Sequence, residues 1–115
     1  MARQPSKQYL KLKERYGALI DAVETMGRAV RASGPLDEKS VCLIQLGAAA
    51  VIHSEGSVHS HTVRALEAGA TPEEIHHAII VLASTIGFPT VSAALSWVDD
   101  VIENLDIVQH GRMRE

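Results

Sequence analysis

Apolar residues recur at helical spacing through most of the chain. Tyr9, Leu12, Tyr16, Leu19, Ile20, Val23, Met26, Gly27 and Val30 keep a 3.6-residue period. They predict one N-terminal helix over about residues 7–32, stopped by Ser33-Gly34-Pro35. Asp37 is a suitable N-cap for a second helix, from about Glu38 to about Ile52. Its stretch Val41 to Ile52 is apolar nearly all round, as expected of a helix buried on more than one side. A third helix is predicted from about Ser54 to Ala68, with Gly69 suited to a left-handed C-cap. Thr71-Pro72-Glu73-Glu74 supplies N-cap, N1 proline and N3 glutamate for a fourth helix reaching about Ile86. Gly87-Phe88-Pro89 breaks the chain again. A fifth helix follows, with Val91, Ala94, Leu95, Val98, Val101, Ile102 and Leu105 on one face. The polar tail, 108–115, is expected to fray. No alternating strand pattern occurs, so the predicted fold class is all-α with five helices in a single domain, 1–115.

The fourth helix has more apolar surface than one face can use. Ile75, Ala78, Ile79, Leu82 and Ile86 form a stripe, while Ile80 and Val81 lie off it. Cover from a second copy of the chain is the physical answer, so an obligate homo-oligomer is expected. Composition adds to this picture. Apolar residues make up 46% of the chain but aromatics only 3%, which implies an aliphatic, alanine-rich core of close-packed helices. A net charge of −3 gives no electrostatic footprint for nucleic acid. No apolar run is long enough to span a membrane, and the first residues lack the apolar core of a signal peptide. The single cysteine, Cys42, cannot form an internal disulfide. A cytoplasmic protein is the simplest expectation.

The candidate chemistry sits on the third helix. At about 100° per residue, Ser54, Ser57, Val58, His61, Ala65 and Ala68 share one stripe. Glu55, His59 and Thr62 share a neighbouring one. His61 is either a core histidine satisfied by a hydrogen bond or a general acid or base, since imidazole titrates near neutrality. Ser57 stands four residues before it, within reach of a Ser–His hydrogen bond, but no third, orienting residue is identifiable. Ser54 and Ser57 are otherwise a helix cap and a small space-filler. Glu55 and His59 face the same way and form either a surface ion pair or the polar rim of a pocket. As metal ligands they are two, and His53, His61, His76 or His77 would have to join them; no metal and no cofactor is expected. His77 points away from the apolar stripe, and His76 borders it. Cys42 is either inert packing or a reactive thiol.

The stretch from Ser54 to Glu74 resembles the signature of the carboxymuconolactone decarboxylase and alkylhydroperoxidase D-like family. That signature has Cys-x-x-Cys-x-x-x-His, a helix ending in Gly-Ala-Thr and a new helix opening with Pro-Glu-Glu. Here Gly69-Ala70-Thr71-Pro72-Glu73-Glu74 and His61 keep the pattern, while serines stand at both cysteine positions, Ser54 and Ser57. Gly87-Phe88-Pro89 followed by Ala93-Ala94-Leu95 also looks like the family, so the resemblance covers about Leu36 to Val101. It implies an alkylhydroperoxidase D-like helical domain, with a family core of about 36–105. Members are usually trimers or hexamers, so a homo-hexamer is the first expectation and a trimer the next. In many disulfide-active members a glutamate precedes the first motif cysteine by the spacing that separates Cys42 from Ser54 here. Two parts of the peroxide-reducing relay are therefore missing.

The resemblance then leaves two functions open. One is a decarboxylase-type enzyme acting on a small carboxylate or lactone, with His61 as the proton carrier, Glu55 and His59 assisting, and Ser54, Ser57 and Cys42 lining the substrate site. The electropositive helix start near Ser54 to Ser57 is one place to hold a substrate carboxylate. Against the enzyme reading, no arginine shares the motif stripe, Arg64 projects elsewhere, and Arg28 or Arg31 would have to come from another helix or subunit. The other is a non-catalytic homo-oligomer with a ligand-binding or assembly role. A residual antioxidant role through Cys42 comes third.

Overall fold

The computed structural model describes residues 6–105 in full and the helical course of 106–114. The expected frayed tail, 108–115, lies outside the fully described residues. Every regular element among the described residues is a helix. The order is α1 (Lys7–Arg15), α2 (Gly17–Arg31), α3 (Glu38–Val51), α4 (Glu55–Glu67), α5 (Pro72–Ile80), α6 (Ala83–Ile86) and α7 (Phe88–Arg114). The fold is all-α, as the periodicity predicts, but two of the five predicted helices are each divided in two.

The first division falls at Tyr16, whose φ of −133° and ψ of 55° are not helical. The period across Tyr9 to Val30 suggests one rod, yet the chain turns back on itself. The Tyr9 hydroxyl donates to the Glu24 carboxylate, and Lys13 Nζ lies 3.5 Å from the same carboxylate. In an unbroken helix Tyr9 and Glu24 would be about 22 Å apart. Gly17, a poor helix former, makes the break cheap immediately after Tyr16. The second division falls at Val81 and Leu82. There Leu82 N–H donates to Ile79 O at 3.0 Å, a tightened turn that ends α5 before α6 begins.

The chain separates into two compact units, one ending at Leu36 and the other starting at Asp37. The first holds the α1–α2 hairpin. Ile20 is its one buried residue among those described.

The second unit carries the core. There α4 packs against both α3 and α7, and α5 packs against the same two helices. Leu46, Ala49 and Ala50 of α3, Val58 and Ala65 of α4, Ile75 and Ile79 of α5, and Val91, Ala94 and Val98 of α7 are buried together. Alanines at these crossings let the helix axes approach closely, which suits a core almost without aromatics. The expectation that α3 is covered on more than one side is not met within the chain. Ile44, Val51 and Ile52 are exposed.

Local signals place the helix ends. Asp37 Oδ1 accepts from Ser40 N–H at 2.8 Å and starts α3; hydrogen bonding from the Ser40 side chain, then from this N–H, holds the Asp37 carboxyl below its ordinary range. Gly69, at φ +96°, closes α4, with Ala70 N–H donating back to Ala65 O at 3.0 Å. The Thr71 capping box is complete in both directions, at 3.1 and 2.9 Å. Glu74 Oε2 also meets Lys39 Nζ at 3.0 Å, tying the start of α5 to the start of α3.

The Thr71 N–H, then the Lys39 ammonium, hold the Glu74 carboxyl below its ordinary range. A depressed carboxyl stabilises the fold above the usual carboxylate pKa, and that contribution fades as pH falls through the depressed value. Glu74→Gln should therefore melt below the wild type at neutral pH, with the two curves converging in acid. Parallel curves across the whole acid range would show that the carboxylate has no such role.

Candidate functional site

The placement of α4 decides which side chains meet. Its fully buried line is Val58, Thr62 and Ala65, wedged between α3 and α7. Thr62, assigned from the sequence to the Glu55–His59 stripe, is wholly buried; its hydroxyl donates to Val58 O at 2.7 Å. The candidate residues consequently lie on two opposite flanks of the helix. Ser57 and His61 are on one flank and Glu55 and His59 on the other. The structure does not gather His61, Glu55 and His59 into one place.

On the first flank, Ser57 and His61 line a groove of about 260 Å³ together with Gln45, Ala48, Ala49 and Ile52 of the α3 segment. Gln45, Ser57 and His61 supply its polar groups, and the two alanines with Ile52 its apolar wall. His61 is the one titratable side chain among these lining residues. Gln45 Oε1 is withdrawn from solvent and accepts no hydrogen bond from the described residues. A buried acceptor left in that state favours any ligand able to donate to it.

Ser54 sits at the helix start, where its hydroxyl accepts from Ser57 N–H at 3.4 Å. It acts there as the N-cap of α4 and is not among the residues lining the groove. Cys42 is buried in the core, its thiol 3.8 Å from Glu38 Oε1, and it too is absent from the groove lining.

The corner that delivers Ser54 is strained. His53 adopts φ +56°, the left-handed region that few non-glycine residues occupy. Its ring pairs with Thr90 Oγ1 at 3.1 Å and stands edge-on to Trp97 at 6.4 Å, so α7 braces the turn.

On the second flank, His59 Nε2 faces Asp100 Oδ2 of α7 at 3.6 Å and Glu55 Oε2 at 3.9 Å. His76 lies elsewhere, bonded to Asp99 at 2.7 Å. His77 is exposed, as its position off the stripe predicts.

A family model described as the carboxymuconolactone decarboxylase family matches residues 18–100, well over half of the chain. The chain belongs to that family. The match reaches back into α2, further than the Leu36 boundary that the motif residues suggest. Neither a search of curated proteins nor one of solved structures returns a significant match. In this member of the carboxymuconolactone decarboxylase family, His61 is the groove histidine. Ser57 stands at the groove's edge and Ser54 at the helix cap.

Two residues escape the sequence reading. Gln45 carried a signal, as the one polar side chain within the apolar run Val41 to Ile52. Asp100 carried little, because its partner is separated from it by forty-one positions and an exposed aspartate on a helix is ordinary.

Proposed function

We propose that this protein is a non-redox member of the carboxymuconolactone decarboxylase family. Its groove binds a small carboxylate or lactone, and His61 carries a proton to or from it. The observation that carries the reading is the meeting of His61, Ser57 and Gln45 at one groove with an apolar wall. Loss of carbon dioxide from a carboxylate leaves an electron pair on carbon. That carbon must then take a proton, and His61 is the acid in position to give it. Ser57 and Gln45 would orient the polar end of the ligand, and Ala48, Ala49 and Ile52 would hold its apolar body.

Self-association belongs to the same proposal. Ile52, which lines the groove, is exposed, and so are Ile44 and Val51 of α3. A second copy seated there would exclude water from the groove, which acid–base chemistry on a small substrate requires. A homo-hexamer, or failing that a trimer, is the assembly we propose. Those same exposed side chains favour the second reading, a non-catalytic oligomer in which assembly is the whole role.

The test compares His61→Ala with His77→Ala against a panel of small carboxylates and lactones, by thermal shift and by carbon dioxide release. Wild type and His77→Ala should bind and turn over the same compound, and His61→Ala should lose turnover by about 100-fold or more while folding normally. Thiol-driven peroxide consumption should be absent in all three, because no Cys-x-x-Cys pair exists and the Cys42 thiol is buried. Turnover that survives His61→Ala would remove the enzyme reading. Peroxide turnover at a rate set by added thiol would remove the non-redox one.

A further inference from the structure

The flank of α4 turned away from the groove holds three donors that the proposed groove chemistry does not use. Glu55 Oε, His59 Nε2 and an Asp100 carboxylate oxygen all lie within 4.8 Å of one another. Two come from one turn of α4 and the third from α7, so the arrangement is fixed by the packing of two helices and not by one flexible segment. We propose that these three side chains form a binding site for a divalent transition-metal cation.

Spacing is the first argument. A charge-assisted hydrogen bond closes to about 2.7–2.9 Å. The His76–Asp99 pair of this protein does so, at 2.7 Å. His59 stands off its two carboxylates at 3.6 and 3.9 Å, although its exposure is close to that of His76. Donors about 2.1 Å from a tetrahedral ion are separated from each other by about 3.4 Å. The two spacings from His59 are therefore too wide for direct bonds and near that of ligands around one ion.

The state of the nitrogen is the second argument. His59 Nε2 is withdrawn from solvent and makes no hydrogen bond with the described residues, yet it points toward both carboxylates. Withdrawing a polar ring nitrogen from water is unfavourable unless something binds it. A cation would use that lone pair.

Charge and donor type give the class. Two carboxylates and a neutral imidazole carry two negative charges, which a divalent ion balances. One nitrogen with oxygen donors suits zinc, manganese or iron better than calcium, which takes oxygens alone. Three protein ligands leave a coordination position open to water or to a ligand. This site lies on the opposite flank from His61, so it and the groove reading can fail independently.

Isothermal titration of the full chain with zinc chloride, after chelator treatment, tests the proposal. One zinc per chain should bind. His59→Ala and Asp100→Asn should each weaken binding by about 100-fold or more, beyond the scale on which outer-shell partners count. His61→Ala and His76→Ala should bind as the wild type does. Asp100 and Glu55 are both more than half exposed, so Asp100→Asn and Glu55→Gln leave the core untouched. Cobalt(II) provides a second readout: its visible absorption should appear with the wild type and vanish in Asp100→Asn. Wild type that takes up no zinc, or zinc that stays bound with His59→Ala and leaves with His61→Ala, would overturn the assignment.

Discussion

Leu46→Ala should destabilise the protein by about 2–5 kcal/mol, a large share of what a domain of this size has. Leu46 is 0% exposed and is the largest side chain on the buried face of α3. Its neighbours on that face are Cys42, Ala49 and Ala50, too short to move into the space it leaves. The helices beside it are held by Val58, Ile75 and Ile79, all fully buried, so collapse around the void is limited. The measurement is urea unfolding at fixed protein concentration, with a lower midpoint and an unchanged slope. Ile44→Ala is the internal comparison. Ile44 is two residues away and 59% exposed, so its truncation should cost the single chain no more than about 0.5 kcal/mol, any further loss being that of the proposed contact between copies. A Leu46→Ala variant as stable as Ile44→Ala would show that this core is not packed as described.

Ile80→Glu or Val81→Glu should dissociate the proposed homo-oligomer while leaving each chain folded. Both residues end α5 on the side away from Ile75 and Ile79, and both are about half exposed, at 50% and 53%. A β-branched pair presented to water is neutral for folding but favourable for a contact. If a second copy covers it, the introduced carboxylate is buried without a partner, at about 3–5 kcal/mol. Each 1.4 kcal/mol is about tenfold in affinity, so the loss amounts to about two to three and a half orders of magnitude. Sedimentation velocity at micromolar protein should show a smaller species, and circular dichroism an unchanged helix content. Intact assembly in both variants would place the interface elsewhere and leave Ile80 and Val81 as solvent-facing residues.

The helix signals read from the sequence were those that act locally. Asp37, Ser54 and Thr71 cap the helices they were expected to cap, and Gly69 takes the positive φ that its position suggested. The breaks at Tyr16 and Val81 were not legible, because no proline marks them and the apolar period runs through both. What bends the chain at Tyr16 shows in contacts across the hairpin, such as Tyr9 with Glu24. The site was half legible for a similar reason. A helical wheel gives angles around α4 but not where its neighbours stand. Ser57 and His61 share a flank, as the wheel says, and Glu55 and His59 share another. Only the positions of α3 and α7 show that the first pair faces Gln45 and the second Asp100.

The braced corner at His53 has an optical consequence. Trp97 is the only tryptophan in the chain, and its indole meets the His53 ring edge-on where α7 supports the turn. Ile52, the residue before that turn, is part of the groove wall. A molecule that settles into the groove and shifts Ile52 should alter the backbone at His53, and a change in the emission of the single indole is the expected readout. The protein thus contains its own fluorophore for groove occupancy, with no label attached and no second tryptophan to blur the signal.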